Sequence, residues 1–166
     1  MKIILYTRRN VGMYCLSHLV ALGHDVLVIT DDKNVEWLAG RYDCRVISLD
    51  TMYNFGMFEL FLCIHGNKIV SRDILLRGWA HYAEFVNIHP CLYKYKGHNP
   101  IKRYIIGKDT DATVESHYMT DVVDEGEVIH AENFTTPICS SYADFYNVAL
   151  PYYIKCLDET LNRFIG

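Results

Sequence analysis

Two short stretches carry residues that can do chemistry together. The first is Phe85-Val86-Asn87-Ile88-His89-Pro90, running on through Cys91-Leu92-Tyr93-Lys94-Tyr95-Lys96 to Gly97. The second is Thr120-Asp121-Val122-Val123-Asp124-Glu125-Gly126-Glu127. An apolar run that ends in Asn87 and His89 and is then turned sharply, with Asp124 standing just before a glycine turn, supplies an amide, an imidazole and a carboxylate. Together these form a coherent set for acyl transfer, provided the chain brings them together.

The elements that must do so can be read from apolar periodicity. Lys2 to Tyr6 predicts a buried strand. Met13, Leu16, Leu19, Val20 and Leu22 follow at helical spacing and stop at Gly23, and Asp25 to Thr30 predicts a second strand. That is a βαβ unit, with parallel strands and a right-handed crossover. Asn34 to Tyr42 reads as a short helix, Arg45 to Ser48 as a short strand, and Thr51 to Met57 as irregular. Glu59 to Ile64 is apolar throughout, as a central parallel strand requires. It leads into the loop His65 to Val70, after which Ser71 caps a helix through Leu76. Glu84 to Ile88 is the next strand. Residues i and i+2 of an extended chain share a face, so it delivers Asn87 and His89 to one site. Pro90 keeps His89 extended, and Gly97 allows a tight turn. Asn99 and Pro100 open a helix to about Ile106. Ala112 to Met119 and Glu127 to Asn133 pair across the Asp124-Glu125-Gly126 turn. Ser141 to Phe164 forms a long helix that Pro151 should kink or divide, with its aromatics Tyr142, Phe145, Tyr146, Tyr152 and Tyr153 expected in the core. The whole predicts one α/β domain over residues 1–166: a Rossmann-like, mostly parallel, doubly wound sheet with a C-terminal β-hairpin and a long C-terminal helix.

Composition narrows the function classes. With 166 residues, 51% hydrophobic and 22% charged, the chain can bury one core. A net charge of −4 argues against broad nucleic-acid binding, and the basic strip Lys94, Lys96, Lys102 and Arg103 reads as a solvated face. No apolar run approaches the ~20 residues of a membrane span. The N-terminus is too short and too soon charged for a signal peptide. Six scattered cysteines without a CxxC pair predict a reduced, cytoplasmic protein. No HExxH or Cys/His cluster is present, so no metal is expected, a site built from His89, His98 and His117 being the weakest reading. The turn after the first strand lacks GxGxxG. It still offers helix amides with Arg8 and Arg9 to an anion.

Asn87-Ile88-His89-Pro90-Cys91-Leu92-Tyr93-Lys94-Tyr95-Lys96-Gly97 resembles the Asn-x-His-Pro-Ser-Leu-Leu-Pro-x-Tyr-(Arg/Lys)-Gly signature of the folate-dependent formyltransferase family. It departs from that signature at Cys91 and at Tyr93-Lys94. Asp124-Glu125-Gly126, preceded by His117-Tyr118-Met119-Thr120-Asp121, matches the family's second motif. Lys68-Ile69-Val70-Ser71 lies where the family's folate loop lies, and the resemblance covers most of the chain.

The resemblance implies transfer of a formyl group from 10-formyltetrahydrofolate, as cosubstrate, to a primary amine. Asn87 would donate to the oxygen of the tetrahedral intermediate. His89 would stabilise that oxygen or protonate the leaving nitrogen. Asp124 would orient His89 and accept the amine proton, directly or through water, with its acidity tuned by burial near Val122 and Val123. Folate would be held mainly by backbone groups of Lys68, Ile69 and Val70 and of Asp121, Val122 and Val123.

The acceptor is the open question. Methionyl-tRNA formyltransferases carry a further C-terminal domain, and a chain that ends at Gly166 with acidic charge is not expected to take tRNA. Thr7 to Gly12 matches poorly the glycine-rich phosphate loop of glycinamide ribonucleotide enzymes. Gly97-His98-Asn99-Pro100-Ile101 is similar to the sugar- and tRNA-formylating branches. The leading expectation is therefore a nucleotide-linked amino sugar, with Arg8, Arg9 and Asn10 as acceptor-phosphate contacts. A hydrolase passing the formyl group to water, and a non-catalytic folate-binding module, are the rival readings. The resemblance leaves room for a homodimer, though no feature of the sequence specifies one.

Overall fold

A computed structural model describes residues 1–165. The elements in chain order are β1 (Lys2–Thr7), α1 (Arg9–Ala21), β2 (Asp25–Ile29), α2 (Lys33–Arg41), β3 (Val46–Ile47), a 3-10 helix (Leu49–Phe55), β4 (Leu60–Ile64), α3 (Arg72–Trp79), β5 (Glu84–Pro90), α4 (Pro100–Gly107), β6 (Asp111–Tyr118), β7 (Val128–Thr135) and α5 (Tyr142–Asn162). They build one sheet in the order β3-β2-β1-β4-β5-β6-β7. The first five strands in that order pair in parallel, and β5-β6-β7 pair antiparallel. This is the Rossmann-like, doubly wound sheet with a C-terminal hairpin and long last helix that the apolar pattern predicts.

Alternation along the strands divides the core into two layers. Ile3, Leu5, Leu62, Val86 and Ile88 face one side, with Leu16 and Leu19 of α1, Tyr104 of α4 and Phe145, Tyr153 and Leu157 of α5. Ile4, Tyr6, Leu27, Phe61 and Phe85 face the other, with Met52 and Leu75. Both faces of β1 and β4 are covered, which is why those strands are apolar at every position. The chain order reverses between β1 and β4, and this switch point opens a crevice at the strands' C-terminal ends.

Three local outcomes differ from expectation. Strand β5 runs two residues further than Ile88, and Pro90 itself pairs with Val114. Its missing N–H costs nothing there: the next ladder bond is Cys91 N–H to Thr113 O at 2.9 Å, and β4 has already ended at Ile64, opposite Ile88. Helix α5 is continuous through Pro151. Phe145 and Ala149 before the proline and Tyr153, Cys156 and Leu157 after it enter the same core layer, so packing holds the helix together across the lost bond. Asn99 occupies the cap position of α4, but with a left-handed backbone and no side-chain cap bond. Ser71 does cap α3, accepting from Ile74 N, and Ser141 with Asp144 completes a capping box on α5. The basic strip is partly neutralised: Lys94 pairs with Asp109, Lys96 with Glu125, and Arg103 donates to the Tyr95 and Lys96 carbonyls.

No described helix is long and apolar enough to cross a membrane. All six cysteines are free, and Cys15, Cys63, Cys91, Cys139 and Cys156 are buried.

Beyond the β5–β6 ladder, a buried carboxylate ties the chain that leaves β5 to the hairpin. Glu115 on β6, opposite His89, accepts from Leu92 N at 2.9 Å and Tyr93 N at 3.0 Å and is only 4% exposed. It fastens the chain that leaves the active strand. Glu115→Gln would turn one acceptor into a donor facing a backbone N–H. The expected loss is about 2–3 kcal/mol of folding stability, read from urea denaturation, with an unchanged slope.

Candidate active site

Asn87 and His89 both project from β5 on the face of the second core layer, the same face as Phe85, beyond the cover that α3 provides. They look into a cavity of about 400 Å³ at the C-terminal ends of β1, β4 and β5. Asp124 arrives from the loop between β6 and β7. Its backbone is left-handed, with φ 58°, and Gly126 follows. A Cβ on Gly126 would stand 1.7 Å from the Tyr118 carbonyl oxygen. The glycine is therefore required by the close approach of the loop to the end of β6, where Tyr118 N donates to Glu127 O at 3.0 Å. Beside this closure the β6–β7 ladder shifts register between Ser116 and His117. A bulge of this kind re-aims side chains next to a site.

The three residues meet. His89 Nε2 lies 3.2 Å from Asp124 Oδ2, and Asn87 Nδ2 donates to Asp124 Oδ1 at 3.4 Å. The turn residue Gly97 donates its N–H to Asp124 Oδ2 at 2.6 Å. On its other side His89 Nδ1 is 2.9 Å from Pro90 O. A carbonyl only accepts, so Nδ1 carries a proton, and Nε2 faces two further oxygens, Asp124 Oδ2 and Gly97 O at 3.3 Å. A proton on Nε2 is thus held at the cavity surface between acceptors.

A fourth polar residue belongs to the group. His117, the β6 partner of Asn87, donates Nδ1–H to Tyr118 O at 2.9 Å. Its Nε2 then accepts from Asn87 Nδ2 at 3.2 Å and stands 3.5 Å from Asp124 Oδ1. The sequence contained its signal, a histidine seven residues ahead of Asp124, but only the antiparallel register places it against Asn87.

Asp124 is buried, and burial alone would raise its pKa. The hydrogen bond and charge of His89 and the Gly97 N–H outweigh burial, with the His117 ring close by, and the carboxyl is held well below the usual carboxylate range. The expected tuning by Val122 and Val123 is not found: both side chains are half-exposed, and the controlling contacts are these polar ones.

The cavity has two ends. One is rimmed by Lys68, Ile69, Val70, Met119, Thr120, Asp121 and Val123, with Ile69 76% exposed. Of the residues expected to hold folate, all but Val122 line this end. The other end carries Arg8, Arg9, His65, His98, Tyr142 and Tyr146. Arg9 lies over the Tyr142 ring, 5.5 Å from its centroid. Asn10 is exposed on α1 and does not line the cavity. Tyr142 and Tyr146 do line it: Tyr142 is exposed there rather than in the core, whereas Tyr146 lines the cavity while packing against the core, in which Phe145 and Tyr153 are buried. His65, at the end of β4, is bonded to Tyr153 Oη at 2.8 Å and Tyr146 Oη at 3.3 Å. Burial and the nearby Arg9 charge push its pKa down to about 3, so it lines this wall as a neutral ring. Among the described residues no group of three or more His, Cys, Asp or Glu is placed to hold a metal ion.

With this geometry in place, solved structures supply the comparison. An N-formyltransferase from Helicobacter canadensis, in complex with folinic acid and dTDP-3-aminofucose, superposes with TM-score 0.78 at 19% identity, covering 99% of this chain and 63% of that one. A phosphoribosylglycinamide formyltransferase from Bacillus halodurans gives TM-score 0.80 at 16% identity, covering 100% and 96%. A formyltetrahydrofolate deformylase from Pseudomonas syringae gives 0.78 at 15%, covering 96% and 59%. The chain has the fold of the folate-dependent formyltransferases. It spans about six-tenths of the length of the sugar-acting and deformylase neighbours and nearly all of the glycinamide ribonucleotide ones. No family model and no curated protein matches the sequence. Within the formyltransferase fold, Asn87, His89 and Asp124 lie at the switch-point crevice where α/β sheets bind ligands.

The lowered pKa of Asp124 makes stability depend on pH in one direction. A group whose folded pKa is lowered stabilises the fold above its unfolded value, near ~3.9, and that contribution fades as pH falls below it. The stability advantage of the wild type over Asp124→Asn should therefore be constant from about pH 5 to 7 and shrink steadily below about pH 4, measured by urea midpoints at each pH.

Proposed function

We propose that this chain is an N-formyltransferase that moves the formyl group of 10-formyltetrahydrofolate to the primary amine of a nucleotide-linked amino sugar, residues 1–166 acting as one catalytic domain. The observation that carries the reading is the convergence of Asn87, His89 and Asp124 in one cavity, between an apolar-rimmed loop pair and a cationic, aromatic wall. The loop pair suits a flat heterocycle held by backbone groups. Arg9 stacked on Tyr142, with Arg8 and His98 nearby, suits an anionic acceptor carrying a ring.

The amine nitrogen attacks the formyl carbon, and negative charge collects on the formyl oxygen. Asn87 Nδ2, shared in the free protein between His117 and Asp124, turns one N–H to that oxygen. His89 supplies its Nε2 proton to the oxygen or to the departing folate nitrogen as the carbon–nitrogen bond breaks. A carboxylate as depressed as Asp124 is a weak base, so its part is to hold His89 and Asn87 and to draw the amine proton away through water. His117 keeps the Asn87 amide nitrogen turned toward Asp124.

Purified protein incubated with 10-formyltetrahydrofolate and a panel of amines should release tetrahydrofolate with a 4-amino or 3-amino sugar nucleotide. Release with glycinamide ribonucleotide alone reassigns the acceptor, and turnover without any amine marks a hydrolase. Asn87→Ala is expected to lower kcat about 10²–10³-fold, and Asp124→Asn and His89→Ala about 10²–10⁴-fold, while each still binds folate. Arg9→Ala should raise the acceptor KM by roughly tenfold, the loss of one charge-assisted contact of about 1.4 kcal/mol, with little change in kcat.

A further inference from the structure

We infer that the Tyr6 hydroxyl is the clamp that sets the shape of the donor loop, residues 66–70, and so is a positioning residue for the formyl donor; this rests on the donor assignment above. Tyr6 is on β1, not on the loop, and its side chain points into the second core layer with only 3% exposure. Its oxygen accepts from Asn67 N at 3.0 Å and from Lys68 N at 2.7 Å, and its proton goes to Asn67 Oδ1 at 2.5 Å. A phenol has one proton and two lone pairs, and all three are used on two adjacent loop residues.

The loop is built to meet this ring. A Cβ on Gly66 would fall 2.5 Å from the Tyr6 ring and 2.8 Å from Cys63 Sγ. The glycine thus lets the backbone descend onto the tyrosine, so that the next two N–H groups reach its hydroxyl. His65, just before it, has a left-handed backbone with φ 63°, which turns the chain out of β4 toward β1. Asn67 then extends the connection outward. Its Nδ2 donates to Asp31 Oδ2 at 2.6 Å, and Asp31 Oδ1 is 2.6 Å from Arg8 Nε. A continuous polar chain therefore runs from the donor loop through Tyr6 and Asn67 to the ends of β1 and β2.

Past this anchor the loop is free of core packing until Val70, which is buried. Ile69 between them is the most exposed apolar residue on the cavity rim. Lys68 to Val70 present their backbone to the donor, and that backbone is fixed at two points only: the Tyr6 hydroxyl at one end, and Val70 in the core at the other. Burial pushes the Tyr6 pKa up, against the backbone bonds from Lys68 and Asn67, so the hydroxyl keeps the proton it gives to Asn67 through the physiological range.

Tyr6→Phe tests the clamp, because it keeps the ring packed edge-on against Phe61 and removes only the oxygen. In the ligand-free protein the Asn67 and Lys68 amides should exchange with deuterium about tenfold faster or more, with the β1 and β4 core amides unchanged. In turnover, KM for 10-formyltetrahydrofolate should rise roughly fivefold or more while kcat and the acceptor KM stay within about twofold. Asn67→Ala, which leaves Lys68 N–H on the hydroxyl, should give a smaller shift of the same kind and serves where the phenylalanine variant folds poorly. Unchanged exchange at Asn67 and Lys68 would overturn the clamp. So would a lower melting temperature with an unchanged donor KM, because that is the mark of a merely structural tyrosine. If the wild type fails to turn over the folate, the donor assignment falls, and the exchange measurement still decides the clamp by itself.

Discussion

The site depends on how a buried carboxylate is kept ionised. Taking Asp124 out of water costs several kcal/mol unless its oxygens are met by donors. Gly97 N–H and His89 Nε2 meet one oxygen, and Asn87 Nδ2 the other, with His117 holding the Asn87 amide. Gly97 comes from the turn after β5, Asn87 and His89 from β5 itself, and His117 from β6. Satisfying Asp124 therefore fixes the relative positions of three segments, and the residues proposed for chemistry are the same ones that make burial tolerable. A cluster of this kind cannot lose one member without leaving another exposed to an unpaired charge.

That requirement explains features of the backbone that have no chemistry of their own. Gly126 is there because the Tyr118 carbonyl occupies the space a side chain would need, and this packing brings the Asp124 loop down onto the sheet. Gly97 (φ 79°) turns the chain so that its N–H reaches Asp124. Glu115 ties the outgoing chain of β5 to β6 beneath the site. The register shift between Ser116 and His117 falls where the hairpin must bend toward the carboxylate.

Much of this was legible in the chain. Apolar runs and Gly/Pro punctuation place most strands and helices to within two or three residues, although α1 begins at Arg9, inside the stretch that reads as a turn, and a 3-10 helix fills Leu49–Phe55; the Asn-x-His spacing on an extended segment puts both side chains on one face without further information. The β1–β2 and β6–β7 pairs were legible, but the pairing of β5 with β6 and its register were not. That His117 stands against Asn87, and that Glu115 reaches Leu92 and Tyr93, follow from an antiparallel register that no local pattern encodes. Tyr142 lies on the cavity wall rather than in the core, and Tyr146 serves both, because an aromatic at helical spacing looks the same whether its face meets the core or a cavity. Their neighbours Phe145 and Tyr153, on the same helix, do enter the core. Pro151 does not divide the helix, since propensity yields to packing when both halves bury side chains in one layer. Val122 and Val123 were credited with tuning Asp124 on sequence proximity alone, whereas the left-handed backbone at Asp124 turns its side chain inward and leaves theirs at the surface.

The two ends of the cavity are held by different means, and this bears on how one fold can serve several acceptors. The donor end is anchored to the sheet: Tyr6 on β1 grips the loop after β4, and Met119 N–H donates to Phe85 O on β5 at 2.8 Å. Its shape is set by hydrogen bonds to core strands, one set of them through the Tyr6 hydroxyl. The wall proposed for the acceptor is made largely of side chains at the starts of α1 and α5, with Arg9 exposed and resting on Tyr142. Helix starts at the surface tolerate replacement of such side chains at small cost in stability. Under the proposed function, a fold that holds the donor loop to the strands and meets the acceptor with surface side chains can exchange one amine for another without disturbing Asn87, His89 or Asp124. Arg8 and Arg9 are neighbours in the chain, but only the packing of α1 against α5 puts them on one wall with Tyr142 and Tyr146.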